Sequence, residues 1–244
     1  MKIQLISDTH TFDYTINPEA DIVVHCGDSS NGDFKYILQF KEKCDELNKP
    51  HIYIVGNHDA YGKSYEQLYN ELYIYKINYL THGKSFTFMD KTFVGGTLFT
   101  DFTLNSNNDP TLIDKFKQEA KHCVNDFYHI RKENRLITPE DYITLHNLDW
   151  NWISKFKNNP NVIVCTHFPP HPSALSEYWK ERGGFLNPYF INTKSLDGFY
   201  YWLSGHVHHH FNYQVDTCNF ICNPLGYPNE AYLNGFHPNY LIEV

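Results

Sequence analysis

Apolar residues along the chain fall into short continuous runs, each closed by a polar residue and a loop. Residues 3–7, 21–26 (DIVVHC), 51–55 (HIYIV) and 161–166 (NVIVCT) therefore read as buried strands. Between them Phe34, Ile37, Leu38, Cys44 and Leu47 recur at near-helical spacing, which predicts an amphipathic helix over 33–48 covering a sheet face. A second helix is predicted over 64–72. Residues 84–99 (KSFTFMDKTFVGGTLF) predict two strands about a tight Asp90-Lys91 turn, with Gly95-Gly96 permitting close backbone approach. The pattern changes over 109–159, which predicts long polar helices, with Thr138-Pro139-Glu140 as a helix start. Strands return at 200–204, 211–216 and 219–222.

Strand, helix, strand alternation predicts a largely parallel sheet, and ligands of such sheets bind at the carboxyl ends of the strands. The first four runs deliver polar residues just past that end, in Asp8-Thr9-His10, Gly27-Asp28, Gly56-Asn57-His58-Asp59 and His167. Gly27 lets the backbone turn sharply, so that the Asp28 carboxylate reaches in from above the sheet. Phe168-Pro169-Pro170 cannot continue a regular element and fixes a loop after His167. A fifth segment, Gly205-His206-Val207-His208, carries two imidazoles at a spacing common in metal binding. Any one of these residues alone would most often cap a helix or satisfy a buried backbone group. Jointly, five segments of oxygen and nitrogen donors point to a metal centre. His25 lies inside an apolar strand and reads as a core histidine, whereas His209 and His210 read as solvent-facing by strand alternation.

With all five segments in this order, D-x-H, G-D, G-N-H-D/E, H and G-H-x-H, the chain resembles the calcineurin-like metallophosphoesterase family from Asp8 to His208. Residues 95–101 (GGTLFTD), 166–170 (THFPP) and 223–228 (NPLGYP) are similar to a small-phosphoesterase branch found in bacteria and their viruses. The resemblance implies a single α/β domain over 1–244, a four-layer αββα sandwich of two mixed β-sheets flanked by helices, with a helical cap insertion at about 109–159. It also implies two divalent ions, with Asp8, His10, Asp28 and His208 on one, Asp28, Asn57, His167 and His206 on the other, and Asp28 bridging. An oxygen-and-nitrogen set without thiolate suits Mn²⁺, Fe, Zn²⁺, Co or Ni over Ca²⁺ or Cu(I), and Mn²⁺ is the expectation.

The activity the family implies is that of a dinuclear phosphoric ester hydrolase acting on a phosphodiester or nucleotide, by a hydroxide activated between the two ions. A phosphomonoesterase, whether a nucleotidase or a nucleic-acid end phosphatase, is the alternative, and a non-catalytic scaffold of the same fold is a third reading. His58 is not a ligand in the family. It would stabilise phosphoryl oxygens or protonate the leaving alkoxide, with Asp59 orienting its ring through the other nitrogen. Ser29-Ser30-Asn31-Gly32 follows Asp28 and Val55 precedes Gly56, so the arginines that Ser/Thr protein phosphatases carry here are absent. A phosphoprotein substrate is thereby disfavoured, which leaves Arg131 or Arg135 of the cap to help neutralise the phosphoryl group. Asp101 and Phe102 border the cap as candidates for substrate contact.

Composition narrows the partners. With 244 residues, 41% apolar and 20% charged, the chain can bury an ordinary core. A formal charge of −8 argues against long duplex nucleic acid, which is held by displacing counterions with Lys and Arg. A small phosphorylated substrate, a nucleotide or a short nucleic-acid end, is expected instead. The six cysteines include no zinc-type CxxC pairs and read as reduced, buried thiols. The N-terminal apolar run is too short for a signal peptide and no stretch reaches the length of a membrane span. The expectation is a soluble cytoplasmic protein, in the host cytoplasm if viral, with no membrane partner.

Overall fold

Residues adjacent along each strand point to opposite faces, and here both faces are apolar, so each sheet must be covered on two sides. A computed structural model describes residues 1–182, 190–227, 229–230 and 234–244. In chain order the first half holds β1 (Lys2–Ile6), β2 (Ile22–His25), α1 (Lys35–Glu46), β3 (His51–Ile54), α2 (Tyr65–Ile74), β4 (Tyr79–Leu80), β5 (Ser85–Phe88) and β6 (Lys91–Gly96). There follow α3 (Pro110–Cys123), α4 (Asp126–His129), a small hairpin of β7 (Arg131–Lys132) and β8 (Arg135–Leu136), and α5 (Pro139–Ile153). The last third holds β9 (Val162–Thr166), α6 (Glu177–Arg182), β10 (Tyr201–Ser204), β11 (Phe211–Val215), β12 (Cys218–Cys222) and β13 (Leu241–Glu243).

Two mixed sheets result, a five-stranded one in the order β13-β1-β2-β3-β4 and a six-stranded one in the order β11-β12-β10-β9-β6-β5. One side of the first sheet (Ile3, Leu5, Ile22, Val24, Ile52 and Ile54) packs on one side of the second (Phe93, Ile163, Cys165, Leu203 and Ile221). The intervening residues Val23 and Tyr53 turn outward and pack with Ile37 and Phe40 of α1 and Leu68 and Leu72 of α2. On the far side of the second sheet Val94, Val164 and Trp202 pack with Ile153 of α5. The four layers are thus helix, sheet, sheet and helix, as expected.

The nine strands foreseen from the apolar runs form within two or three residues of their expected limits, and both early helices are present. Ser64 caps α2 through a reciprocal capping box with Gln67. The segment 109–159 differs from a simple cap. Its last helix, α5, starts at a Thr138–Asp141 capping box and buries Tyr142, His146, Asp149 and Ile153. Asp149 accepts a hydrogen bond from the backbone N–H of Leu98 at 2.9 Å, which fastens α5 to the chain leaving β6. This helix belongs to the outer layer, and the part of the segment beside the site is α3, α4 and their connection. Among the described residues no helix is long and apolar enough to cross a membrane. Five of the six cysteines are buried, but Cys123 at the end of α3 is exposed.

Candidate metal centre

Strands β1, β2 and β3 pair in parallel, as do β9 and β10, so each group releases its chain at one edge of its sheet. Asp8, Asp28 and Asn57 leave the first sheet there, and His167, His206 and His208 leave the second. A bridge between Ser7 and Pro224 and a hydrogen bond from Gly205 N to His167 O of 3.1 Å tie the segments together. All seven residues singled out as ligands meet at this edge. Donor atoms of Asp8, His10 and His208 lie within 4.8 Å of one another, and so do those of Asp28, His167 and His206, and those of His10, Asp28 and His58.

The donors face each other. His10 Nε2 lies 3.0 Å from His208 Nε2, and His206 Nδ1 lies 3.3 Å from His167 Nε2. His167 Nε2 is also 2.9 Å from Asn57 Oδ1 and 3.3 Å from Asp28 Oδ2. Converging lone pairs repel unless a proton or a cation sits between them, and the buried His10 Nδ1 has no hydrogen-bond partner among the described residues. This donor set, carboxylate, amide oxygen and imidazole without thiolate, fits hard to borderline divalent ions.

The electrostatics lead the same way. Burial would raise the Asp8 carboxyl, but its hydrogen bond to His208 and the nearby imidazole charges hold it at about 2. Asp28 lies below the ordinary carboxylate range because the charges of His167 and His58 outweigh its burial. Burial disfavours the His208 proton, yet hydrogen bonds to Asp8 and Glu230 push the ring up to about 10. His167 is held at about 9 by Asp28 against the same penalty, whereas burial takes His10 down to about 4. Two buried carboxylates thus draw positive charge into the centre.

Five of the seven residues adopt left-handed backbone: Asp8 (φ 52°), His10 (42°), Asp28 (58°), His206 (75°) and His208 (44°). Such a conformation costs a non-glycine residue on the order of 1–3 kcal/mol and persists where the surroundings over-determine it. Here Asp8 N donates to Gly27 O at 2.8 Å, His10 N to Asp28 O at 3.0 Å, and His206 N to both carboxylate oxygens of Asp8 at 3.0 Å. A Cβ at Gly56 would stand 2.0 Å from Asp28 Oδ1, so only glycine lets these two segments approach.

Several surrounding groups were not foreseen. Asn57 Nδ2 donates to Asp126 Oδ1 at 3.0 Å, which turns the amide oxygen toward His167. Asp126, 3% exposed, also accepts from Tyr61 Oη at 2.6 Å and from Tyr142 Oη. His208 Nδ1 meets Glu230 Oε2 at 2.6 Å, and His167 Nδ1 donates to Cys26 O at 2.7 Å. No sequence signal marks Asp126 or Glu230, because their partners lie 69 and 22 residues away.

Three expectations are corrected. Asp59 does not orient His58. Its buried carboxylate accepts from Asp28 N and Gly56 N at 3.0 Å, Ser29 N at 3.1 Å, Ser30 N at 3.2 Å and Tyr53 Oη at 2.7 Å. Asn31 takes the place beside His58, with Oδ1 2.7 Å from Nδ1, and Tyr227 Oη lies 3.4 Å from Nε2. Arg131 and Arg135 do not line the cleft. Arg135 pairs with Asp141, and Arg131 donates to Asn134 O. Asp101 pairs with Lys194 at 2.5 Å and Phe102 is buried in the core, and neither lines the cleft over the donors. His25 is the satisfied core histidine expected, 3.2 Å from Thr9 Oγ1 and accepting from Gly27 N. His209 and His210 lie in the loop before β11 and are partly buried, and Pro228 of the 223–228 segment lies outside the described residues.

A cleft of about 370 Å³ opens over the donors, lined on that side by Asp28, Asn57, His58, His206 and His208. Two stacked mixed sheets flanked by helices define the metallophosphoesterase fold. The family model of the calcineurin-like phosphoesterases matches residues 1–210, and the chain belongs to that family. The Phosphopantetheinyl Hydrolase of Mycobacterium tuberculosis shares the fold at 15% identity and a TM-score of 0.73, over 100% of this chain and 95% of that one. A dimetal phosphatase from Danio rerio is similar at 12% identity and a TM-score of 0.49, over 91% of this chain and 86% of that one. No curated protein matches the sequence.

Proposed function

We propose that the protein is a dinuclear metal-dependent hydrolase of phosphate esters, with a phosphodiester or nucleotide as the first choice of substrate. The observation that carries this reading is the overlap of the donor groups, because Asp28 belongs to two of them and His10 to two. Asp8, His10, Asp28 and His208 would hold one ion and Asp28, Asn57, His167 and His206 the other, with Mn²⁺ preferred. When bound, such a pair stabilises phosphoryl oxygens as a Lewis acid and lowers the pKa of a water.

The protein's own groups supply orientation and a proton. Asn31 Oδ1 accepts from His58 Nδ1–H, so Nε2 is the nitrogen that exchanges a proton with a ligand in the cleft. Asp126 fixes the Asn57 amide, and without it the amide is free to turn its nitrogen toward the donors. Asp126→Ala is therefore expected to lower Mn²⁺ affinity about 10–100-fold, read by titrating metal into the stripped protein. Tyr142→Phe, which removes another donor to Asp126 but leaves Asn57 bonded, is expected to keep wild-type affinity.

The deciding experiment compares bis(4-nitrophenyl) phosphate with 4-nitrophenyl phosphate in Mn²⁺, after chelation and after metal is restored. The expected result is faster diester hydrolysis that chelation abolishes and Mn²⁺ restores. A monoester preference would select the phosphomonoesterase reading. Absence of turnover on both, with metal bound, would leave the scaffold.

A further inference from the structure

The cleft has two unlike sides. Beyond the donor side, its wall presents Leu175 in the turn after β9 and Val207 between the two site histidines, backed by the buried Val124, Ala174 and Ile191, with Tyr61, Phe190 and Tyr227 also in the lining. The aliphatic residues are continuations of the core. Val124 packs in the cluster on the outer side of the first sheet, and Ala174, Leu175, Ile191 and Val207 in the cluster on the outer side of the second. The wall is therefore held in shape by buried neighbours and is a preformed apolar surface next to polar donors, the usual construction of a small-molecule site.

The carboxylates on the same surface are already engaged. Asp126 accepts from Asn57, Tyr61 and Tyr142, and Glu230 meets His208 Nδ1 and accepts from Tyr227 N. Among the described lining residues none is Lys or Arg. A second phosphate placed against these described residues would lose water without gaining a cation from them, which disfavours nucleoside diphosphates and triphosphates. An alkyl group placed there exchanges water for the Leu175 and Val207 side chains, which is favourable in proportion to its area.

We infer that the substrate is an ester of a single phosphate bearing an uncharged aliphatic group, which lies along Leu175 and Val207 while the phosphoryl group meets the donor cluster. This rests on the phosphoesterase reading above and narrows it away from polyphosphorylated nucleotides. Tyr61, Phe190 and Tyr227 offer rings elsewhere in the lining, but along Leu175 and Val207 the polar edge of a nucleobase would lose hydrogen bonds to water, which favours an alkyl chain on that stretch.

The test is a series of methyl, butyl and octyl 4-nitrophenyl phosphates, with thymidine 5′-(4-nitrophenyl phosphate), given to the Mn²⁺-loaded full chain. Alkyl monophosphates of the same lengths, followed by phosphate release, form a parallel series. The expected result is a kcat/KM that rises about fourfold per added methylene over the first few carbons, with the thymidine ester below the octyl ester. Leu175→Asn should flatten the slope, and a melting curve establishes that this variant is folded. The wild-type slope decides the matter independently of that variant. A flat series, or a thymidine ester that outperforms every alkyl ester, overturns the inference and leaves the phosphoesterase reading standing. If no ester is turned over, methyl and 4-nitrophenyl phosphate included, both fail together.

Discussion

Asp28→Asn and His167→Ala are each expected to reduce turnover of aryl phosphates in Mn²⁺ by well over about a hundredfold. Groups that only orient a metal ligand are worth about 10–100-fold, so a ligand shared by two donor groups should be worth more. Asp28 is shared in this way, since it belongs both with His167 and His206 and with His10 and His58. Its Oδ1 also accepts the backbone N–H of His58 at 2.9 Å. Asparagine keeps the size and one acceptor oxygen but removes the charge that draws cations in. The loss should therefore appear in metal binding and rate, with little change in the melting temperature. His167 is fully buried beside Asn57, and alanine there removes a donor without adding charge. Wild-type rates in both variants would sink the two-metal reading.

Asp59→Ala should have the larger effect on stability. One carboxylate gathers the backbone N–H groups of Asp28, Ser29, Ser30 and Gly56, with the hydroxyl of Tyr53, in a place 1% exposed. Each buried donor left unpaired costs about 1–3 kcal/mol, partly recovered by relaxation and water, so a net loss on the order of 4 kcal/mol is expected. For a chain of this length that corresponds to a fall of about 8–16 °C in melting temperature. Ser29→Ala removes a hydroxyl that donates to Asp59 and accepts from Tyr53, but leaves the four backbone N–H groups bonded to Asp59, and should shift it by less than about 4 °C. Equal melting temperatures for Asp59→Ala and the wild type would show that the carboxylate does not hold the 28–30 turn.

The sequence makes the fold and the donors legible for related reasons. A strand buried on both faces leaves a continuous apolar run, and residues just past it in a parallel sheet must gather at one edge. The strands β4 and β13, two and three residues long, leave no such run and were not foreseen. The helix α5 reads as part of a polar insertion because Asp149 and His146 are buried through hydrogen bonds to Leu98 N and Phe99 O, which no pattern reveals. Sequence adjacency to His58 misleads at Asp59, because neighbours in sequence need not be neighbours in space. In the short turn His58–Ala60, His58 is partly exposed to the cleft while Asp59 points beneath the site. Asn31, Asp126 and Glu230 take their roles from tertiary contact alone.

His10 and His208 touch across 198 positions of chain, and His206 N reaches Asp8 across as many. During synthesis the first half of this centre emerges long before the second, by about 10–40 s at ordinary elongation rates. Throughout that interval Asp8, His10 and Asp28 are an incomplete set, lacking the donors of His167, His206 and His208. On the two-metal proposal, the ions of the finished centre would therefore be selected only after the segments carrying His206 and His208 have docked.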